Sequence, residues 1–591
     1  MLDKKIPIGI DNFAKLMDKK NNYLFADKSL LIKEIIEDKS EVTLITRPRR
    51  WGKTLNLSML QHFFAIEIPY VETAGLFDNL AIAKVDGGHY MQYNRQSPVI
   101  FISFKDIKAS SYEGAVEHIR TLLENLFGEH ESYLMESAVL SENDKRRFNR
   151  YITGNINEAE IQRSLLTLSQ LIFKHYQGKK VYILIDEYDT PLNAGYKHGY
   201  VEKMLDFMKV FLGAALKGNA FLQKGVLTGI LRISHNSMLS GLNNLEVFTV
   251  LSKKYSSYFG FVEEEVKALF SECHLPHKVE EVRNYYNGYR FGDNLLYNPW
   301  SIINCLKNQG SLKTYWINTA DDALLKDVLL NTTAQGKKQL QEIFWSTEGE
   351  FEGYISEVAR FEGLKRDEIA LWSLLVATGY LTAQCEACFD EQYLCKLRVP
   401  NQEVRRVYLN AFGEWLRSQL TEAGYLEFMR DLLSGRVEAF THKLETYLLT
   451  YGTGHEFNSE SNYHTFLLGL FAGLSGFYEL YSNTPAGFGR ADLMLVPKGD
   501  EKTAIILELK HTKTETVNRA LAQTALTQID RKRYAQYLQR YTHLERVLKI
   551  GVAFANRTVA SCYRWEDAAG NSSGEGVTHL LRAEDLDKQA E

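Results

Sequence analysis

Three consecutive residues, Gly52-Lys53-Thr54, stand directly behind the basic stretch Arg47-Pro48-Arg49-Arg50-Trp51 and the apolar run Val42-Thr43-Leu44-Ile45. Such a triplet, set between a short strand and the helical pattern Leu55 to Leu60, has the residue types of a loop that cradles phosphates. Backbone N–H groups would face the β-phosphate, Gly52 would let the backbone approach, Lys53 would reach the β/γ oxygens, and Thr54 would ligate Mg²⁺. The G-x-x-x-x-G-K-S/T pattern has its first Gly where this chain has Arg47. Arg47 and Arg50 are therefore read as part of a stiffer, more cationic loop, with a plain basic turn before a helix as the alternative.

A second run supplies what that loop needs. Val181 to Ile185 is continuously apolar, as suits a strand buried on both faces, and it ends in Asp186-Glu187. Asp186 would hold the Mg²⁺ shell and Glu187 would polarise the attacking water. Runs at Pro98 to Phe104 and Phe221 to Thr228, with helical spacing between them, make this region alternating β and α around a parallel sheet. Thr228, at a strand end, is placed to sense a γ-phosphate. Arg232, shortly after it, is placed to answer the nucleotide's charge, although a polar residue at a strand exit can be only a turn former.

Another set of charged residues lies far downstream. Arg490 to Val496 reads as a strand carrying Asp492, and Ala504 to Lys510 as a strand carrying Glu508-Leu509-Lys510. Side chains alternate along a strand, so Glu508 and Lys510 project to one face. Asp492 and Glu508 would share Mg²⁺, which activates water and neutralises a scissile phosphate, while Lys510 would steady the developing anion. With 74 acidic and 69 basic residues in the chain, this spacing also arises by chance. Its apolar setting discriminates, because charges there must face one another or a cation. Upstream, Glu460 and His464 share one helix face. Downstream, the helical pattern Val517 to Leu538 carries Gln528 and Tyr534, and Lys502 to Lys549 holds ten Lys and Arg against four Asp and Glu. That local excess suits a phosphate backbone and equally a solvated amphipathic helix.

Composition bounds the rest. At 591 residues the chain exceeds one hydrophobic core, and roughly 150 residues per domain suggests three or four. A net charge of −5 excludes a polycation that coats nucleic acid indiscriminately, so any such contact must be local. No run approaches the ~18 apolar residues of a membrane span, and Met1 to Lys5 lacks an apolar signal core, so a cytoplasmic protein is expected. Six scattered cysteines suggest reduced thiols. Cys385, Cys388 and Cys395 lack a fourth Cys or His between residues 381 and 400, so they read as thiols of a hairpin and not as a zinc site. Trp300, Trp316 and Trp372 read as core, not as base-stacking platforms.

Several segments together resemble one bacterial family, which joins an AAA-ATPase-like domain to a PD-(D/E)XK nuclease domain. They are Tyr23 to Leu31, Arg47 to Thr54, Leu184 to Asp189, Leu227 to Ile233, Ser240 to Asn244, Tyr286 to Gly292, Tyr297 to Trp300, Tyr315 to Thr319, Tyr463 to Leu470 and Gly489 to Asp492. The resemblance runs from about residue 5 to 555, and that family also lacks the first loop Gly. It implies an α/β protein: an N-terminal P-loop, AAA-like ATPase domain with a parallel sheet (1–260), a mostly helical middle with hairpins (261–455), a restriction-endonuclease-like αβββαβ domain (456–556) and a tail (557–591). Glu460, Asp492, Glu508 and Lys510 match its nuclease pattern. Gln528 and Tyr534 stand six apart where RecB-like nucleases have Gln-x-x-x-Tyr.

The expected activity is ATP binding and hydrolysis coupled to cleavage of nucleic acid, with DNA as the expected substrate. ATP and Mg²⁺ are the expected cofactors, Mn²⁺ is an alternative at the nuclease site, and a homo-oligomer is compatible with the family. Two other readings fit the same residues. One is a nucleotide-switched module whose nuclease-like domain grips nucleic acid without cutting it. The other is a signalling ATPase that assembles with partner proteins.

Overall fold

The computed structural model describes residues 4–232, 242–316, 350–358, 367–389, 392–408, 422–451, 459–474, 477–499, 501–514, 517, 519–567 and 571–577. Ile233, Ser240-Gly241, Ile317 to Thr319 and Ala568 to Gly570, all within motifs or segments singled out above, lie outside them. The chain divides into two compact units, 1–318 with 352–404 and 319–351 with 405–591. The segment read as a separate middle domain is therefore shared between them.

The first unit is built on five parallel strands: β1 (Val42–Thr46), β2 (Val99–Ser103), β3 (Val181–Asp186), β4 (Leu222–Gly229) and β5 (Leu245–Phe248), in the order β2-β3-β4-β1-β5. Every residue of β1 and β3 is buried, as their unbroken apolar runs require of strands covered on both faces. Register then does the positioning. Ile45 pairs with Thr228, and Ser103 with Asp186, so the carboxyl ends of β1, β3 and β4 share one edge. In open parallel sheets that edge is where ligands bind. The helix Lys53–Phe64 starts there and buries Leu57, Met59, Leu60, Phe63 and Phe64 against the sheet, with the Phe64 ring stacked 4.2 Å from that of Tyr182.

The same unit continues through helices Glu263–Glu272, Val279–Tyr286 and Pro299–Lys307 and the hairpin of β6 (Asn287–Phe291) and β7 (Asn294–Tyr297). A small sheet follows, ordered β8-β10-β9, from β8 (Glu350–Ser356), β9 (Thr382–Phe389) and β10 (Gln392–Arg398). The hairpin expected at 381–399 is thus present, but its cysteines are not all thiols. Cys385 and Cys395 pair directly across β9 and β10, their Cα atoms 3.9 Å apart, and are joined as a disulfide. Scattered spacing gave no sign of this pairing, because it is set by hairpin register. Cys388 is an exposed thiol, and Cys273, Cys305 and Cys562 are buried ones. Trp316 and Trp372 are buried as expected, whereas Trp300 is only half-buried.

The second unit carries helices Glu422–Leu433, Val437–Tyr451 and Glu460–Phe471 and a sheet whose strands follow chain order: β11 (Tyr478–Ala486), β12 (Gly489–Pro497), β13 (Thr503–Thr512), β14 (Arg546–Ala555), β15 (Thr558–Asp567) and β16 (Ser572–Val577). Only β13 and β14 are parallel, linked by helix Arg519–Arg531. Alternation sorts the two faces. Leu493, Leu495, Leu507 and Leu509 pack with Tyr463, Phe466, Leu467 and Leu470 of the preceding helix. Met494, Val496 and Ile506 pack with Ala522, Leu526 and Ile529 of the crossover helix. The segment after 557, read as a tail, instead supplies β15 and β16. Its Val559, Ala560, Ser561 and Cys562 are buried, which commits it to the sheet. Among the described residues no helix is long and apolar enough to cross a membrane.

Candidate functional site

At the carboxyl edge of the first sheet, Gly52 takes the left-handed conformation (φ 77°) and caps helix Lys53–Phe64. A side chain on Gly52 would meet nothing within 4 Å, so the space before the helix start is open. Lys53 is buried beneath it, its ammonium donating to the carbonyls of Arg47 (3.0 Å) and Pro48 (2.8 Å). Burial lowers its pKa, with Glu187, Asp186 and Asp189 acting in the opposite sense. Asp186, fully buried, gathers three hydroxyls: Thr54 Oγ1 at 2.8 Å, Thr228 Oγ1 at 2.7 Å and Ser103 Oγ at 3.3 Å. Glu187 has a left-handed backbone (φ 50°) and accepts from Thr190 Oγ1 at 3.1 Å.

A cavity of about 340 Å³ is lined by Gly52, Lys53, Thr54 and Glu187, by the apolar Ile10, Phe13, Leu24, Phe25 and Phe261, and also by Asp11, Lys28 and Asn56. A mixed lining of phosphate-loop residues, apolar side chains and a few polar groups suits a phosphate-bearing ligand with a planar base. Arg50 lines this cavity. Its guanidinium lies 4.6 Å over the Trp300 ring and donates to the Tyr315 and Trp316 carbonyls (3.3 and 2.7 Å). Glu403 accepts from the N–H groups of the same two residues (2.6 and 2.8 Å), and burial pushes its carboxyl up to about 7. Glu403 had no signal in the sequence. Asp189, which falls within the Leu184 to Asp189 segment without an expected role of its own, is a buried carboxylate that accepts from the N–H groups of Ile230 and Leu231 at 3.0 Å and so pins the turn after β4.

Two expected nucleotide-facing cations, Arg47 of the loop and Arg232 after Thr228, are placed elsewhere. Arg47 is fully buried and points into the fold, where its Nη1 donates to the carbonyls of Thr46, Phe248 and Thr249 (2.7, 3.1 and 2.8 Å) and its guanidinium lies between the Phe259 and Phe291 rings at 5.3 and 5.4 Å. It does not line the cavity, so its reading as a phosphate-facing cation is corrected: it braces the strand from which the loop springs. Arg232 is engaged by Glu357 (3.3 Å), which also accepts from Thr249. It is absent from the cavity lining as well.

In the second unit, β12 and β13 bring the downstream candidates together. Glu508 and Lys510 share the parity of Ile506 and project to the same face, as expected. Lys510 Nζ lies 3.3 Å from Glu508 Oε1, 3.5 Å from Glu460 Oε1 and 2.8 Å from its acceptor, the Leu509 carbonyl. Asp492 Oδ2 accepts from Leu509 N at 2.8 Å, which fixes the carboxylate against the neighbouring strand. His464, expected to share a helix face with Glu460, meets the Asp492 carbonyl through Nε2 at 3.0 Å. Glu508 is only 1% exposed, and among the described residues no N–H or O–H donor reaches its Oε2. Burial is the main cause that raises the pKa of both Glu508 and Asp492, and each carboxylate is held close to the other. Burial likewise raises Glu460, while the three carboxylates together overcome burial and raise Lys510.

Gln528 and Tyr534 also join this site, despite their six-residue spacing. The helix expected through Leu538 stops at Arg531, and Arg533 adopts a left-handed backbone (φ 54°) before the turn Tyr534–Arg540. That break swings Tyr534 back, so that Gln528 Nε2 donates to Glu508 Oε1 and lies 3.4 Å from Tyr534 Oη.

The donor sets fit divalent ions of limited protein ligation. Among the described residues no three His, Cys, Asp or Glu are placed to enclose a metal by themselves. Mg²⁺ commonly takes one or two carboxylates and completes its shell with water and phosphate oxygens. Asp492 with the donorless Oε2 of Glu508 meets that need in one unit, and Asp186 with Thr54 meets it in the other.

The first unit thus has the parallel sheet and loop architecture of a P-loop nucleotide-binding domain, and the second has the mixed sheet and carboxylate–lysine cluster of a restriction-endonuclease-like domain. Comparison with known proteins agrees in both places. Residues 7–239 match the family described as predicted AAA-ATPase, and residues 458–564 match the PD-(D/E)XK nuclease superfamily. Over 411 residues, 68% of this chain and 69% of the relative, the sequence is 27% identical to an uncharacterized protein in the vnfD 5' region of Azotobacter chroococcum mcd 1.

Proposed function

We propose that this protein binds and hydrolyses ATP in its first unit and cleaves phosphodiester bonds of DNA in its second, with nucleotide turnover governing cleavage. The observation that carries the nuclease half is the meeting of Asp492, the buried Glu508 carboxylate and the Lys510 ammonium, with one carboxylate oxygen without a donor among the described residues. A relic of this site would have no need to keep a buried acid so poorly satisfied. Mg²⁺ or Mn²⁺ bound by Asp492 and Glu508 would activate water and neutralise phosphate charge. Lys510, held between Glu508 and Glu460, offers an ammonium to the anion that develops at phosphorus. Gln528 holds the Glu508 carboxylate in place.

On the ATPase side, Lys53 would exchange its two loop carbonyls for β/γ-phosphate oxygens. Asp186 holds the Thr54 and Thr228 hydroxyls; Thr54 and Asp186 would hold a Mg²⁺ ion, Thr228 would sense the γ-phosphate, and Glu187, which lines the cavity, would polarise water. We place this activity in the cytoplasm and include self-association in the reading, to be checked by size measurement with and without a non-hydrolysable ATP analogue.

The test is cleavage of plasmid DNA, single-stranded DNA and RNA by the whole chain with Mg²⁺ or Mn²⁺. Asp492→Asn should abolish metal-dependent cutting without unfolding the protein. Equal cutting with and without ATP, unchanged by Lys53→Ala, would remove the coupling. Binding without any cutting by the wild type would leave a nucleotide-switched binding module.

A further inference from the structure

The turn between β11 and β12 presents Phe488 to solvent, 68% exposed, in a unit whose other aromatic rings are mostly packed. Isolated exposed apolar residues are ordinary, so exposure alone decides nothing. Its mounting is what distinguishes it. Gly487 has a left-handed backbone (φ 52°), and a Cβ there would lie 2.1 Å from the Lys532 carbonyl oxygen and 2.6 Å from that of Arg533. Only glycine permits this approach, and it lets Phe488 N donate to the Lys532 carbonyl at 2.8 Å. The tip is thus bolted to the Arg531-Lys532-Arg533 turn, and the Arg533 guanidinium lies 5.5 Å over the Phe488 ring.

The same turn leads into the cluster of acids. Gly489 lies against Tyr534, whose hydroxyl would be 3.1 Å from a Cβ at that position, and Tyr534 neighbours Gln528, the donor to Glu508. Asp492 follows four residues after Phe488, roughly 13 Å along an extended strand, a span of about four base steps of duplex. Arg490, Arg531 and Arg533 are exposed around the tip. Phe477, the other strongly exposed phenylalanine of this sheet, precedes the opposite end of β11, and no cation is stacked on it among the described residues.

We propose that Phe488 is a stacking platform for an unpaired base a few nucleotides from the scissile phosphate, with Arg490 and Arg533 on the flanking backbone, so that the preferred substrate is nucleic acid with single-stranded character near the cut. A base has a π-face whatever its identity, so a platform of this kind selects strandedness and not sequence, while the arginines supply the salt-sensitive part of binding. This inference rests on the nuclease reading above.

It is tested by anisotropy with whole-chain Asp492→Asn, which binds without cutting, and labelled 30-mers in three forms: single-stranded, fully matched duplex, and duplex with a single-stranded flap. Phe488→Ala should weaken single-strand and flap binding by roughly tenfold or more and leave the salt dependence unchanged. Phe488→Trp should retain affinity, Arg533→Ala should weaken binding with a shallower salt dependence, and Phe477→Ala should stay within about twofold. Unchanged single-strand affinity in Phe488→Ala, or an equal loss on matched duplex, overturns the platform. If Asp492→Asn binds none of the three, the nuclease reading fails first and takes this inference with it. If it binds and the wild type cuts, but Phe488→Ala is indifferent, only the platform fails.

Discussion

The two candidate sites hold a lysine in opposite ways. Lys53 is satisfied by main-chain carbonyls of its own loop, neutral partners that a phosphate can displace. Lys510 donates to the Leu509 carbonyl but also faces carboxylates on a neighbouring helix and its own strand, of which the buried Glu508 would lose its cation without it. The first arrangement suits a site that fills and empties, because the exchange of acceptors costs little. The second suits a site whose charge balance is built in and in which a divalent ion adds to an existing network. Removing a cation should therefore affect ligand affinity in one unit and both chemistry and folding in the other.

Lys510→Ala should show the largest effect. Cleavage should fall by about 10³-fold, the scale of losing a preorganised charge stabiliser. The variant should also melt earlier at pH 8, where Glu508 loses its nearest cation. Adding Glu508→Gln should restore the melting temperature but not the cleavage. If the double variant melts no later than the single, the buried charge imbalance is not the cause, and the contrast with Lys53 is lost.

Arg47→Ala comes next, with an expected cost of about 3 kcal/mol, since it strips a charged donor from three buried carbonyls. Denaturant unfolding measures it. A loss of nucleotide affinity at temperatures where the variant is fully folded would mean that Arg47 does reach phosphate. Lys53→Ala should do the reverse: ATP affinity about 10²-fold weaker by titration calorimetry, with a stability change on the order of 1 kcal/mol from the two carbonyls left to water.

How much of this was legible depends on whether the information is local. The strands β1 and β3 were readable because unbroken apolar runs ending in Gly52-Lys53-Thr54 and Asp186-Glu187 carry their meaning within a short stretch of chain. Asp492, Glu508 and Lys510 were readable because period-two alternation assigns each strand residue to a face by its position in the chain alone. Arg47 misled because sequence position puts it in the loop, whereas its direction is set by the carbonyls of Phe248 and Thr249, far along the chain. Glu403 is more distant still, a carboxylate whose role exists only once Tyr315 and Trp316 lie against it. The Gln528–Tyr534 spacing seemed unfaithful under a continuous helix, and the left-handed Arg533 is the one torsion that repairs it. Cys385 and Cys395 needed the hairpin register, which pattern places to within a residue or two and no better.

The smallest expected effect gives the sharpest view of the C-terminal site, because it separates burial from metal binding. Burial is the first cause that raises Glu508, with the Asp492 charge second. A raised carboxyl means that the folded protein keeps a proton the unfolded chain releases above about pH 4.3. In the metal-free protein, stability should therefore fall as pH climbs from that value toward the raised one, and the loss should be complete beyond it. Glu508→Gln removes this titration. Its melting temperature relative to wild type should be higher at pH 9 than at pH 5, by a difference worth about 1–2 kcal/mol after allowance for the neighbouring Lys510. Saturating Mg²⁺ or Mn²⁺ should stabilise the wild type at pH 9 and leave the variant less affected, since binding requires the ionised pair. A wild type and variant that keep a constant offset across this range would show that Glu508 is solvated, and the pocket between β12 and β13 would then lack the dry, charge-balanced character on which its chemistry depends.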